Sequence, residues 1–179
     1  MAEVTARRVW TGRLRYAVIA LAILFFQLLP LQTLPRNWGA PDILLLVTLA
    51  FAARRPDHVP ALLVAAAMLL SDMLLQRPPG LWTGLVLILT ELLRSRARSM
   101  RSLPFPLEWG FVAIGIGAIT LANRAILAIL LVPVAPMGLT LTQLAITIVA
   151  YPIVVALAHF ALRVNRPAQG AVDEFGHRL

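Results

Sequence analysis

The amino-acid sequence predicts an all-α integral membrane protein, a bundle of six transmembrane helices. Hydrophobic residues make up 60% of its 179 residues and charged residues only 13%, well below the roughly 25% charged residues of a typical soluble domain. A surface this apolar needs lipid as its solvent, and in lipid every backbone polar group must be paired within the chain. The apolar runs do not alternate with period two, as lipid-facing barrel strands do, so helices remain.

Six apolar segments can be read along the chain. Their approximate bounds are 14–34, 41–53, 59–75, 81–93, 107–132 and 139–162. A helix that crosses a bilayer needs about 20 apolar residues, and the second and fourth segments are shorter than that. We expect the fourth helix to continue into the arginine-rich stretch after it, with the arginines reaching toward water. The alternative is that two short spans line a substrate cavity, as in transporters.

The arginines predict the orientation of the bundle. Thirteen of the sixteen lie before or at the very start of the first segment, in the 54–58 and 94–101 loops, or after the sixth segment. Only Arg36 and Arg77 lie in the alternate loops, so the positive-inside rule puts both termini in the cytoplasm, as in a protein of the bacterial inner (cytoplasmic) membrane type. The net charge of +8 is therefore a topology signal, and no nucleic-acid partner is expected.

The domain organisation follows from these segments. Residues 1–13 are predicted to be a cytoplasmic N-terminal segment, residues 14–162 the transmembrane domain, and residues 163–179 a disordered cytoplasmic tail. The first apolar run is longer than the apolar core of a signal peptide and no small-residue cleavage site follows it, so we interpret it as a retained span.

Arg124, beside Asn123 in the fifth segment, is the costliest residue to place in lipid. An arginine at the centre of a span costs about 2.5–3.5 kcal/mol on insertion scales, so we expect it to face the bundle and to have a partner. Asp72 and Asp42 lie toward the same end of their segments, and the four residues form a predicted polar network in which Asp72 is the preferred partner. Glu91 lies at the opposite end. The alternative is that Arg124 reaches the outer headgroups alone.

No catalytic, cofactor-binding or metal-binding pattern is recognised, because the acidic and histidine residues are scattered over both ends of the segments. Cysteine is absent, which excludes disulfides. Pro152 is expected to kink the sixth helix, with Thr147 satisfying the freed carbonyl region. A basic stretch beside the fourth segment is predicted to contact anionic phospholipid; its residues are Arg94, Arg96, Arg98 and Arg101.

Four short motifs occur in order between Pro41 and Arg101. A Pro-Asp pair at 41–42 opens a short second segment, an arginine pair follows at 54–55, and Ser71-Asp72 ends the third segment before a Pro-Pro-Gly-Leu turn at 78–81. With these motifs the region resembles the rod shape-determining protein MreD family, in its α-proteobacterial form. The order and spacing of these motifs carry the resemblance, together with the size and the number of segments over the whole chain.

The resemblance implies a non-enzymatic subunit of the cell-elongation machinery without a cofactor. Its direct partner would be MreC, which would connect it to MreB, to RodA and to the transpeptidase partner of RodA in peptidoglycan synthesis. The family's bundle is thought to be similar to the substrate-binding S components of energy-coupling-factor transporters. The alternative function is a small-molecule transporter or substrate-binding component with Arg124 as an anion anchor. A polar cavity around Arg124 would favour it, and a dry bundle would oppose it.

Overall fold

The computed structural model describes residues 2–29, 39–100 and 104–162. Within these ranges the protein is all-helical, with six α helices and one 3-10 turn at Pro56–His58. The helices are α1 (Ala2–Leu28), α2 (Ile43–Arg54), α3 (Ala61–Leu74), α4 (Leu81–Met100), α5 (Phe105–Ile129) and α6 (Met137–Leu162). Each coincides with one predicted apolar segment. The tail from residue 163 onward and Arg36 lie outside the described residues.

Three of the helical stretches are long and apolar enough to cross a membrane, namely Val9–Leu28, Phe105–Ile129 and Met137–Phe160. α2 and α3 are shorter apolar helices. Large apolar side chains such as Phe25, Ile114 and Ile153 are exposed on the outside of the bundle. Water is a poor solvent for an apolar surface of this kind. The architecture is compatible with a helical membrane protein.

α2 is the centre of the bundle. Every residue from Leu44 to Ala53 is buried, as expected for a helix that is apolar on all sides. It packs mainly against α4 and α6 and also touches α1, while the other five helices follow one another around it in the order α1, α3, α4, α5, α6. Its polar side chain, Thr48, donates to the Leu44 carbonyl at 2.7 Å and shares a hydrogen bond of 2.9 Å with the Tyr16 hydroxyl.

One helix boundary differs clearly from the prediction, and another confirms it. α1 begins at Ala2, so most of the predicted N-terminal segment is helical. α4 extends to Met100, which shows that the arginine-rich stretch continues the helix, as expected.

The length of α2 creates the main irregularity of the fold. At about 1.5 Å per residue, its 12 residues span about 18 Å, whereas the 25 residues of α5 span about 37 Å. The neighbouring helices therefore extend beyond α2, and the volume beyond its ends is closed by polar side chains.

Candidate functional site

A cavity of about 250 Å³ lies at the end of the bundle where α2 begins. We call it the Arg124 cavity. Residues of α5 and α6, the connection between these two helices, the connection between α3 and α4, and the first turns of α2 and α4 form its wall. Its lining combines apolar residues, such as Trp82, Ile116 and Leu144, with polar ones. Both short predicted segments thus contribute to one cavity, as the transporter-like alternative required.

Arg124 lies in this wall, and its hydrogen bonds go to the α5–α6 connection. Its Nη1 donates to the Ala135 carbonyl at 2.7 Å and to the Thr140 hydroxyl at 3.0 Å. Pro133 and Pro136 on either side of Ala135 keep this connection out of helical structure, which leaves the Ala135 carbonyl free to accept. Among the described residues, no carboxylate lies within 4.0 Å of the Arg124 guanidinium.

Asp42 lies at the N-terminus of α2 and lines the cavity. Its Oδ1 accepts from the Leu45 amide at 3.0 Å, which caps the N-terminus of α2. Its Oδ2 lies 3.8 Å from Nη1 of Arg77, whose guanidinium also lies 5.9 Å from the centre of the Trp82 ring. The Asp42 amide donates to the Thr147 hydroxyl at 3.2 Å. Asp42, Asn123 and Arg124 therefore share one cavity, as the predicted polar network required.

Asp72 is the member of that network which was placed wrongly. It is fully buried, but its Oδ2 accepts from the amides of Gly80 and Thr83, both at 3.2 Å, and from the Thr83 hydroxyl at 2.7 Å. These donors belong to the first turn of α4, so Asp72 caps that helix from the end of α3. The predicted ion pair between Arg124 and Asp72 is not formed, and Asp72 does not line the cavity.

A second polar cluster closes the opposite end of α2, and the sequence analysis missed it. Glu108, in the first turn of α5, is 1% exposed, and its Oε1 lies 3.6 Å from Nε of Arg54. The Tyr151 hydroxyl of α6 donates to the same oxygen at 2.9 Å. The sequence analysis places Arg54 in the 54–58 loop and gives Glu108 no role. The signal available is a single acidic residue at the start of an apolar segment.

The backbone carbonyl that Pro152 leaves without a helical donor has a different partner from the expected one. Pro152 cannot donate to the carbonyl of Ile148, four residues earlier, and the indole Nε1 of Trp109 donates to that carbonyl at 3.0 Å instead. Thr147 bonds to the Gln143 carbonyl and to the Asp42 amide. The assignment of Thr147 to the proline was therefore wrong, and Trp109 has that role.

The predicted basic stretch lies on the second half of α4. Nη1 of Arg94 donates to Oε1 of Glu91 at 2.6 Å, so these two residues, three apart on one helix, form an ion pair. Arg96 is exposed. The side chain of Arg98 and all of Arg101 lie outside the described residues.

His58 joins the connection between α2 and α3 to α1. Its imidazole lies against Gly12, so that a methyl group at position 12 would overlap the ring, and it also contacts Phe51. Burial lowers the pKa of His58 below its usual value of 6.5. The charged groups that act on it are, in decreasing order of effect, Arg55, Asp57, Arg15 and Arg13.

Comparisons with family models, with curated proteins and with solved structures found no match to this chain.

Proposed function

We propose that this chain is a non-enzymatic membrane subunit of the bacterial cell-elongation complex, in which it binds MreC and helps to organise peptidoglycan synthesis. In this proposal it spans the inner membrane six times with both termini in the cytoplasm. The support comes from the resemblance of residues 41–101 to the MreD family and from the distribution of the arginines.

One observation carries the proposal: the residues of the resemblance are those on which the helix packing depends. Asp42 caps α2, Asp72 caps α4, and Arg54 of the arginine pair lies beside the buried Glu108. Short apolar motifs recur by chance in membrane helices, whereas each of these polar residues holds a particular helix end in place. The resemblance is therefore supported by residues with specific structural roles.

The first experiment tests the partner. The full chain with an affinity tag is expressed with MreC from the same bacterium, extracted in mild detergent and purified, with and without crosslinking. An unrelated six-span membrane protein with the same tag is the control. We expect MreC to co-purify with this chain and not with the control. Equal recovery with both, or with neither after crosslinking, refutes direct binding.

The second experiment tests the topology. A C-terminal fusion to alkaline phosphatase should be inactive and a C-terminal fluorescent-protein fusion bright, because phosphatase folds only outside the cytoplasm and the fluorescent protein inside it. Fusions in the 133–136 connection should give the opposite pattern. An active C-terminal phosphatase would refute the six-span arrangement with cytoplasmic ends.

The Arg124 cavity favours a second candidate, a membrane component that binds a small molecule. The bundle is not tightly packed at this place: a space of about 250 Å³ is bordered by two arginines, one aspartate and several neutral polar side chains. Its volume is close to the lower limit of ordinary ligand sites, which is about 300 Å³. Stabilisation of the purified chain by a small solute, lost when the cavity is filled, would support this candidate.

A further inference from the structure

The charge of the Arg124 cavity is not balanced by the side chains that line it. Two arginines, Arg77 and Arg124, lie in its wall together with one carboxylate, Asp42. Asp42 is already occupied by Arg77 and by the N-terminus of α2. The lining therefore carries one net positive charge among partly apolar surroundings, where a charge is poorly solvated. A ligand with one negative charge would balance it.

Arg124 has donors left for such a ligand. A guanidinium carries five N–H groups, and both hydrogen bonds of Arg124 to the described residues come from Nη1. These two bonds attach the guanidinium to the α5–α6 connection and so fix its position. Nε and Nη2 make no hydrogen bond within the described part of the chain, and the residue is partly exposed toward the cavity.

We propose that the Arg124 cavity binds a phosphate group, with Arg124 as its principal ligand. The inference deepens the second candidate function by naming the chemical class of the ligand, and it is independent of the binding of MreC. Asn123, Thr120 and Gln143 also line the cavity and supply neutral donors around the cation.

Phosphate fits this lining better than a carboxylate does. It presents more oxygens to a lining with several separate donors, and a guanidinium matches its geometry. A phosphodiester carries the single negative charge that balances the lining. The apolar lining residues Trp82, Ile116 and Leu144 can contact the carbon part of an ester. The phosphate can belong to a lipid headgroup, which carries acyl chains, or to a free anion, which carries none.

The test measures binding to the full chain, purified in a neutral detergent and a phosphate-free buffer, by titration calorimetry. The probes are inorganic phosphate, a short-chain phosphatidylglycerol and, as the carboxylate probe, acetate, all at one ionic strength. The variants are Arg124→Gln, which removes the cation, and Thr120→Phe, which fills the cavity without changing its charge. Arg96→Gln is the matched control, because it removes an exposed arginine of α4 remote from the cavity lining.

We expect at least one phosphate probe to bind the original chain and Arg96→Gln equally. A hydrogen bond to a charged group contributes about 1.5–3 kcal/mol, so Arg124→Gln should weaken binding by about tenfold to a hundredfold. Thr120→Phe should abolish it; this variant keeps the test decisive if Arg124→Gln does not fold. Binding of inorganic phosphate alone assigns the free anion, and binding of the lipid alone assigns the headgroup.

Three results would overturn the inference. Acetate binding as tightly as the phosphate probes would exclude phosphate and leave the second candidate function intact. Phosphate binding that survives both cavity variants would place the site elsewhere. No binding by any probe would remove the phosphate site and the support for the second candidate together, while co-purification with MreC would be unaffected.

Discussion

Replacement of Asp72 by alanine is the most informative perturbation of the fold. It removes the acceptor of three hydrogen bonds, two of them from Thr83, which is only 6% exposed. A buried donor left without a partner costs about 1–3 kcal/mol, while the Gly80 amide, at an exposed residue, can bond to water. Oδ1 of Asp72 is buried without a hydrogen bond to the described residues, so its removal offsets part of the loss. We expect Asp72→Ala to destabilise the protein by about 2–4 kcal/mol.

The assay is thermal unfolding of the full chain in mild detergent, followed by circular dichroism. For a domain of about 150–250 residues, 1 kcal/mol corresponds to roughly 2–4 °C, so a loss of about 3 kcal/mol lowers Tm by roughly 6–12 °C. Asp72→Asn, which keeps one acceptor oxygen, should lose about half as much. Asp57→Ala removes an exposed loop carboxylate and should change Tm little.

A double mutant separates capping from ion pairing. If Asp72 only caps α4, the losses of Asp72→Ala and Arg124→Ala should add to within about 0.5 kcal/mol. A double mutant clearly more stable than this sum would show that the two charges compensate each other. That outcome, or an Asp72→Ala variant with unchanged Tm, would refute the capping explanation.

Three further predictions concern the remainder of the bundle. Glu108→Ala should cost about 3–5 kcal/mol because it leaves Arg54, whose side chain is only 10% exposed, without the carboxylate beside it, whereas Glu91→Ala, at an exposed pair, should cost at most about 1 kcal/mol; equal shifts in Tm would contradict this. Gly12→Ala should lower stability by about 1–3 kcal/mol through overlap with His58, and Gly84→Ala, with open space around it, should be neutral or slightly stabilising; a neutral Gly12→Ala would disprove the contact. Since the pKa of His58 is lowered on folding, stability should be constant above about pH 6.5 and fall as the pH drops below it, and His58→Gln should flatten this slope; identical slopes would refute it.

The helices could be predicted from the sequence because the apolar runs are long and their ends are marked by proline, glycine and arginine. Pro41-Asp42 marked the start of α2 and Pro104 the start of α5. The start of α1 was missed because residues 2–13 are polar or charged in part, and polarity is no obstacle to a helix that extends out of lipid. Hydropathy reports the apolar part of a helix and not its hydrogen-bonded length.

The partners of the charged residues could be predicted only in part. The pair of Glu91 and Arg94 follows from their spacing on one helix. Depth along a span placed Arg124 and Asp72 at one end, but it does not tell which way a side chain points around the helix axis. The contact between Arg54 and Glu108 joins residues far apart in sequence, so no local pattern could reveal it.

The position of α2 has a consequence for how the protein is made. α2 leaves the ribosome before α4 and α6, yet these are the helices that cover most of its surface. With about 18 Å of length it is also too short to match a hydrocarbon layer of about 30 Å by itself. α2 can therefore reach its final packing only after α4 and α6 have been made. Asp42 gains its neighbour Thr147 only with α6, and Arg54 gains its neighbour Glu108 only with α5, so the bundle is completed around the helix made second.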